Sequence, residues 1–358
     1  MQNKTRTLNF ENQNIFIGLD AHLKSCKTTI LTEELEHKTF VIDPSAEVLY
    51  KYLQKNFPGG NYYSAYEASF GGFSLHRDLV KLGINNIVVN PADIPTTHKE
   101  QVQKEDRRDS RKIAKQLRSN TLESIYVPSE EMQELRMLIR YRRTLSREIG
   151  KNKNRIKSLL YFLGVNIPAE QNSASRYWSK KFTEWLKGIE FLTAEGKAVL
   201  DTIIKTTEHS RKELLEINKT IRGLTKSTKH AEMLNYIMSV PGIGIVTAVT
   251  ILTEIEDIYR FKTDDKLCSF IGIIPSTHSS GEKEITSGIT KRSNKCLRHM
   301  IIEASWIAAR RDPALSYCFT EYCKRMKKNQ AIVRIAKKLV KRIKFVMKNK
   351  TEYVPSTL

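Results

Sequence analysis

Asn14-Ile-Phe-Ile-Gly-Leu-Asp20 is a short apolar run that ends in an acid. Its length and composition predict a β-strand. The β-branched stretch Ser25-Cys-Lys-Thr-Thr-Ile-Leu31 follows closely enough to pair with it as a hairpin partner. Working outward, residues 46–57 show helical spacing through Val48, Leu49, Tyr52 and Leu53. Residues 62–66 read as another strand, followed by Glu67 and a helix through Leu82, with Gly83 as its C-terminal stop. Asn86-Ile-Val-Val-Asn90 is a compact buried strand stopped by Pro91. Residues 104–117 resume helical spacing. This order predicts an α/β domain over residues 1–127 with a mixed central sheet.

The 358 residues suffice for two or three domains. No apolar run has the length of a membrane span. The polar N-terminus lacks a signal-peptide core, so export is not expected. Cys26, Cys268, Cys296, Cys318 and Cys323 are scattered, with no CxxC, which fits a reducing cytoplasm and argues against a disulfide framework or zinc ribbon. Formal net charge is +21. Residues 1–127 hold 17 Lys/Arg and 15 Asp/Glu, leaving 43 and 24 for residues 128–358. The excess of +19 in the second part is the electrostatic footprint of a nucleic-acid partner.

Residues 130–163 read as one long helix, with Leu135, Leu138, Leu145, Ile149, Ile156, Leu159 and Leu163 in a seven-residue repeat interrupted by Arg142 and Asn152. Residues 193–226 repeat the pattern. Pro168 and the polar stretch 171–176 separate the two, which predicts an antiparallel helical hairpin or coiled coil over residues 128–232, with a small insert around Trp178 and Trp185. Residues 233–323 form a compact, mostly helical module. Residues 324–350 hold twelve Lys/Arg and no acid, while Ile332, Ile335, Leu339, Ile343 and Val346 recur at helical spacing. A basic amphipathic helix and tail over 324–358 is therefore expected to meet nucleic acid through residues such as Lys337, Lys338, Lys341 and Arg342.

Four carboxylates stand out by context. Asp20 ends one strand and Glu67 follows another, while Asp106 and Asp109 sit three apart on one helix face. Clustered carboxylates repel unless a cation neutralises them, and hard oxygen ligands suit Mg²⁺ or Mn²⁺. Two such ions can activate an attacking oxygen and stabilise a leaving one in phosphodiester chemistry. Taken singly, Asp20 reads as a turn residue, Glu67 as a helix N-terminal acid and the last pair as a solvated face. Specificity comes from the order: strand-Asp, strand-Glu, strand, helix-DxxD.

Ile-Gly-Leu-Asp20, Tyr-Glu67-Ala and Asp106-Arg-Arg-Asp109-Ser together resemble the DEDD motif of transposases with a RuvC-like, RNase H-like fold, the insertion-sequence family numbered one hundred and ten, with its related DNA invertases. The resemblance implies a metal site of Asp20, Glu67, Asp106 and Asp109. Glu105 and Ser110 depart from the Thr and Ala common there.

Val240-Pro-Gly242-Ile-Gly244-Ile-Val-Thr-Ala resembles a helix-hairpin-helix turn, whose glycines let backbone N–H groups approach a phosphate. A tight turn between packed helices is the alternative. Phe270-Ile-Gly-Ile-Ile-Pro275-Ser-Thr-His-Ser-Ser280-Gly281 reads as an apolar turn and a hydroxyl-rich loop. Gly288-Ile-Thr-Lys291-Arg-Ser-Asn294-Lys-Cys-Leu-Arg298 follows as a basic patch entering a helix. Lys291, Arg292 and Arg298 suit phosphate charge. Residues 238–300 are similar to the C-terminal domain of the same transposase family. That similarity implies a nucleophilic serine forming a covalent phosphoserine link, matched by Ser280 with Ser279 as neighbour. It also implies donor and target DNA, a structured guide RNA and a homo-oligomer, a dimer or tetramer. The expected function is DNA strand cleavage and rejoining. The alternatives are a metal-only, junction-resolvase-like nuclease and a non-catalytic nucleic-acid-binding protein. An actin-like ATPase lacks a second phosphate loop here.

Overall fold

The computed structural model of the chain describes residues 8–94, 106–171, 177–227, 229–280 and 283–355. It divides into two compact units, Met1–Pro128 and Ser129–Leu358.

In the first unit, the opening run forms β1 (Asn14–Ala21), and β2 (Cys26–Leu31) pairs with it antiparallel. A third strand, β3 (Glu36–Ile42), extends the hairpin at the sheet edge. Its sequence EHKTFVI is largely solvent-facing, so no apolar alternation announces it. Helix α1 (Ala46–Asn56) starts at Ser45, whose hydroxyl accepts from the Val48 amide. Strand β4 (Asn61–Glu67) returns parallel to β1. Helix α2 (Ser74–Lys81) then leads to β5 (Asn85–Val89), parallel to β4. The helix expected directly after Glu67 thus begins seven residues later, after turns around Gly72. Helix α3 (Asp106–Arg118) closes the unit. Residues 95–105, Glu105 among them, lie outside the described residues. The five-stranded order is β3-β2-β1-β4-β5, a mixed sheet compatible with an RNase H-like domain.

The second unit opens with α4 (Glu130–Phe162), capped by Ser129 and with Glu130 and Glu131 in its positive first turn. Next come α5 (Lys180–Lys187) and α6 (Ala194–Ser227). Met132 and Ile139 of α4 share a core with Ile221 of α6, whereas Ile156 and Leu160 share another with Leu200 and Ile204. The two long helices therefore run in opposite senses. Arg142, at a seam position, donates to Asn218 at 2.7 Å, so the polar interruption of the repeat is satisfied across the pair. Phe182 and Leu186 of α5 fill the second core, with Trp178 and Trp185 around Phe182.

The larger core belongs to α7 (Ala231–Ser239), α8 (Ile245–Ile255), α9 (Asp264–Ile271), α10 (Lys295–Arg311), α11 (Pro313–Cys323) and α12 (Lys328–Asn349). Between α9 and α10 lies an antiparallel pair, β6 (Pro275–Ser280) and β7 (Lys283–Ile289). The stretch expected as a hydroxyl-rich loop is thus a β-hairpin; Ser and Thr serve strands as readily as turns. Helix α12 is not an appended tail: Ile332, Ile335, Leu339, Ile343 and Val346 are buried in the same core as α8 and α10. Among the described residues, no helix is long and apolar enough to cross a membrane.

Candidate active site

Strands β1 and β4 run in register from Asn14 against Asn61 to Leu19 against Tyr66. The same offset sets Asp20 beside Glu67 at the carboxyl ends of adjacent parallel strands. Side chains alternate along a strand, so Asp20 shares a face with Gly18, and Glu67 with Ala65. That face is the one α3 covers. Ala65 packs with Ile113 of α3, and a Cβ on Gly18 would lie 2.0 Å from the Ser110 carbonyl oxygen and 2.5 Å from the Ala114 nitrogen. Only glycine lets the helix backbone come this close.

Ser110 is buried, and its hydroxyl meets that of Thr29 on β2 at 3.0 Å; Thr29 also bonds Thr39 on β3 at 2.9 Å. The departure from Ala at this position therefore has a structural reason: the serine ties α3 to the sheet through the residue paired with Gly18. Asp109, half-buried, immediately precedes Ser110. Asp106 opens α3, and its side chain lies outside the described residues.

Asp20 Oδ2 lies 3.3 Å from His22 Nε2. The Cys26 thiol is pushed up to about 11, first by burial and further by the Asp20 charge, against a lowering bond from Thr28. The donor set is wholly carboxylate oxygen, the chemistry Mg²⁺ and Mn²⁺ take. Among the described residues, however, no three His, Cys, Asp or Glu side chains gather as a metal cluster.

In the second unit Ser280 ends β6 opposite Lys283, and Ser279 lies opposite Glu284. Gly281 and the side chains of residues 277–287 lie outside the described residues. Gly242 has φ +89°, and a Cβ there would lie 2.4 Å from the Ala304 carbonyl of α10. The first glycine of the helix-hairpin-helix-like turn thus serves helix packing. Gly244 differs: it caps α8 with open space around it, leaving the helix N-terminus approachable.

Lys291 and Arg292 are exposed just before α10. Arg298 instead donates to the carbonyls of Gly272 at 3.1 Å and Thr290 at 2.6 Å. It holds the chain around the hairpin base through one guanidinium nitrogen. On α12, Lys341 and Lys344 pair with Asp264. Arg342 Nε donates to Tyr353 Oη at 2.8 Å and faces Asp312, which is 1% exposed. Lys341 and Arg342 thus have acid partners within the fold and also line, with Lys338, a groove beside Tyr353; Lys337 lines a second groove.

The sequence reading missed Glu254. It is 2% exposed within an apolar helix and accepts from Arg140 at 3.0 and 3.1 Å and from the Asn294 amide at 2.8 Å. The bond to Glu254 holds Arg140 above the usual guanidinium range. Asn294 caps α10 directly behind Lys291 and Arg292, so this buried carboxylate fixes the basic turn. An acid inside the run Ile-Val-Thr-Ala-Val-Thr-Ile-Leu-Thr-Glu254 was the available signal.

Residues 17–163 match a DEDD transposase family model, and residues 234–318 match one described as the transposase IS116/IS110/IS902 family. The chain belongs to this IS110-type transposase family. The transposase for insertion sequence element IS1533 of Leptospira borgpetersenii is 23% identical over 298 residues, 82% of this chain and 84% of the relative. The transposase for element IS1111A of Coxiella burnetii is 25% identical over 239 residues, 67% of this chain and 64% of the relative. A relative from Sinorhizobium fredii is 27% identical over 244 residues, 68% of this chain. The chain spans less than two thirds of these last two relatives, 64% and 58% of their lengths.

Proposed function

We propose that the chain is a transposase that cleaves and rejoins DNA strands. The observation that carries the reading is the parallel register of β1 and β4, which ends at Leu19 against Tyr66 and so brings Asp20 and Glu67 next in line, on the sheet face covered by the helix bearing Asp106 and Asp109. In this reading Asp20, Glu67, Asp106 and Asp109 hold Mg²⁺ or Mn²⁺. When bound, the cation offsets charge on a scissile phosphate. The carboxylates fix its place at the rim of the sheet, and the Gly18–Ser110 contact fixes the helix that supplies two of them.

The serine step belongs to Ser280. Its hydroxyl oxygen attacks the phosphorus and loses its proton, a P–O bond of the DNA backbone breaks, and the departing oxygen leaves as a hydroxyl. The phosphoserine ester keeps the bond's energy, so attack by a DNA hydroxyl rejoins strands and frees the serine. Exposed Lys291 and Arg292, Gly244 at the α8 N-terminus, and Lys337 and Lys338 support binding of the phosphate backbone. A structured guide RNA and a homo-oligomer complete the reading; its support is family membership and the +19 excess of the second part.

The experiment is a covalent trap. The full chain is incubated with DNA spanning its element's ends, RNA transcribed from the DNA flanking its gene, and Mg²⁺, then denatured. A protein–DNA adduct is expected with wild type and with Ser279→Ala, and none with Ser280→Ala. DNA cut without any adduct points instead to a metal-only nuclease, and binding without cutting to a non-catalytic protein.

A further inference from the structure

Beside the β6–β7 hairpin, where its strands leave the helical core, a groove of about 540 Å³ opens against the first turns of α12. Its size falls within the range of small-ligand sites. Ile273, Pro275 and Ile289 line it from the hairpin base, and Val333 from α12. Ile289 is 40% exposed, a large aliphatic face left to solvent. Two carboxamides, Asn329 and Gln330, stand at the start of α12, and two cations follow, Arg334 about one turn on and Lys337 about two. Gly288 adds no side chain, and nothing lies within 4 Å of where its Cβ would be.

This lining is a mixture with a specific complement. Flat aliphatic walls suit the face of a heteroaromatic ring, and carboxamides offer both donors and acceptors to a ring edge. The guanidinium and ammonium suit the phosphate that accompanies it. Residues 324–350 contain no acid, so no carboxylate on that helix opposes an anion here. A buried apolar peptide side chain would leave the two cations and two carboxamides without partners.

We infer that this groove receives one unstacked nucleobase of a single-stranded or locally opened nucleic acid, with its phosphate on Arg334 and Lys337. The inference rests on the reading of the second unit as a nucleic-acid-handling module and adds a site to it. It gives the hairpin a second role: its tip carries Ser280, and its base holds a nucleotide of the strand being handled. Holding a base out of the stack fixes the backbone beside it in one register.

The test compares two fluorescent oligonucleotides binding to the full chain, measured by anisotropy. One is a mixed-sequence single strand. The other has the same phosphates but abasic sugars. Wild type is expected to bind the base-bearing strand about tenfold more tightly, the scale of stacking one base. Gly288→Leu, whose side chain enters open space and fills the groove, is expected to shrink that preference to about twofold or less. The abasic strand should bind it unchanged. Asn329→Ala with Gln330→Ala, both exposed, should shrink the preference as well, guarding against misfolding of the first variant. Arg334→Ala should weaken both strands alike. Equal binding of the two strands by wild type, or a preference that survives Gly288→Leu and the double variant, overturns the groove. Failure of both strands to bind overturns the nucleic-acid reading itself.

Discussion

The acidic rim of the first unit and the basic helix α12 of the second carry opposite charges, and their side chains are positioned by different means. Asp20 and Glu67 are placed by backbone register: a parallel pair with a constant offset puts two acids side by side whatever surrounds them. The cations of α12 are sorted by tertiary partners. Arg342 bonds Tyr353 and faces Asp312, and Lys341 pairs with Asp264; Lys338, which shares a groove with both, and Lys337 have no acid partner of this kind among the described residues. The position of an acid at a strand end thus carries over from sequence to structure. A charge run on a helix is sorted by partners that only folding brings close.

The contrast breaks most visibly at Gly18. Gly18→Val drives a side chain into the α3 backbone, and thermal unfolding should show a loss of about 3 kcal/mol or more. DNA cleavage should disappear with it, because α3 carries two of the four acids. Retained stability and activity would mean the α3–β1 approach is not what sets the rim.

Arg342→Ala and Lys338→Ala sharpen the division along α12. The first leaves the buried Asp312 carboxylate short of a cation and should cost about 2 to 3 kcal/mol in denaturant unfolding. The second should change stability by no more than about 0.5 kcal/mol, while lowering the slope of log affinity against log salt by about 1. An equal loss of stability in both variants would erase the distinction.

Gly242 and Gly244 offer the smallest contrast, two residues apart. Gly242→Ala meets the Ala304 carbonyl at positive φ and should cost about 2 kcal/mol. Gly244→Ala has room, so its unfolding should shift by less than about 1 kcal/mol, with any loss appearing in DNA affinity. A Gly242→Ala protein as stable as wild type would return that glycine to a phosphate-binding role.

These pairs also mark how far the sequence could be read. Period and punctuation disclosed β1, β2, β4, β5 and the two long helices, because each carries its apolar pattern within a few residues. Strand β3 escaped because it is an edge strand with charged, solvent-facing residues. The β6–β7 hairpin escaped because Pro-Ser-Thr-His-Ser-Ser suits a loop as well as a strand. The acids were legible as an ordered set. The roles of Arg298, Arg342 and Gly242 were not, since each depends on a partner brought close only by folding. Glu254 was visible as an acid in an apolar helix, yet its partners lie 114 and 40 residues away in the chain.

The central proposition is that the rim formed by β1, β4 and α3 is a cation site. Mn²⁺ titration by calorimetry, comparing wild type with Asp20→Asn and Glu67→Gln, addresses it without relying on activity. The account predicts saturable Mn²⁺ binding to wild type and at least about tenfold weaker binding to each variant, with unchanged melting in the absence of metal. Identical Mn²⁺ isotherms for all three proteins would contradict it.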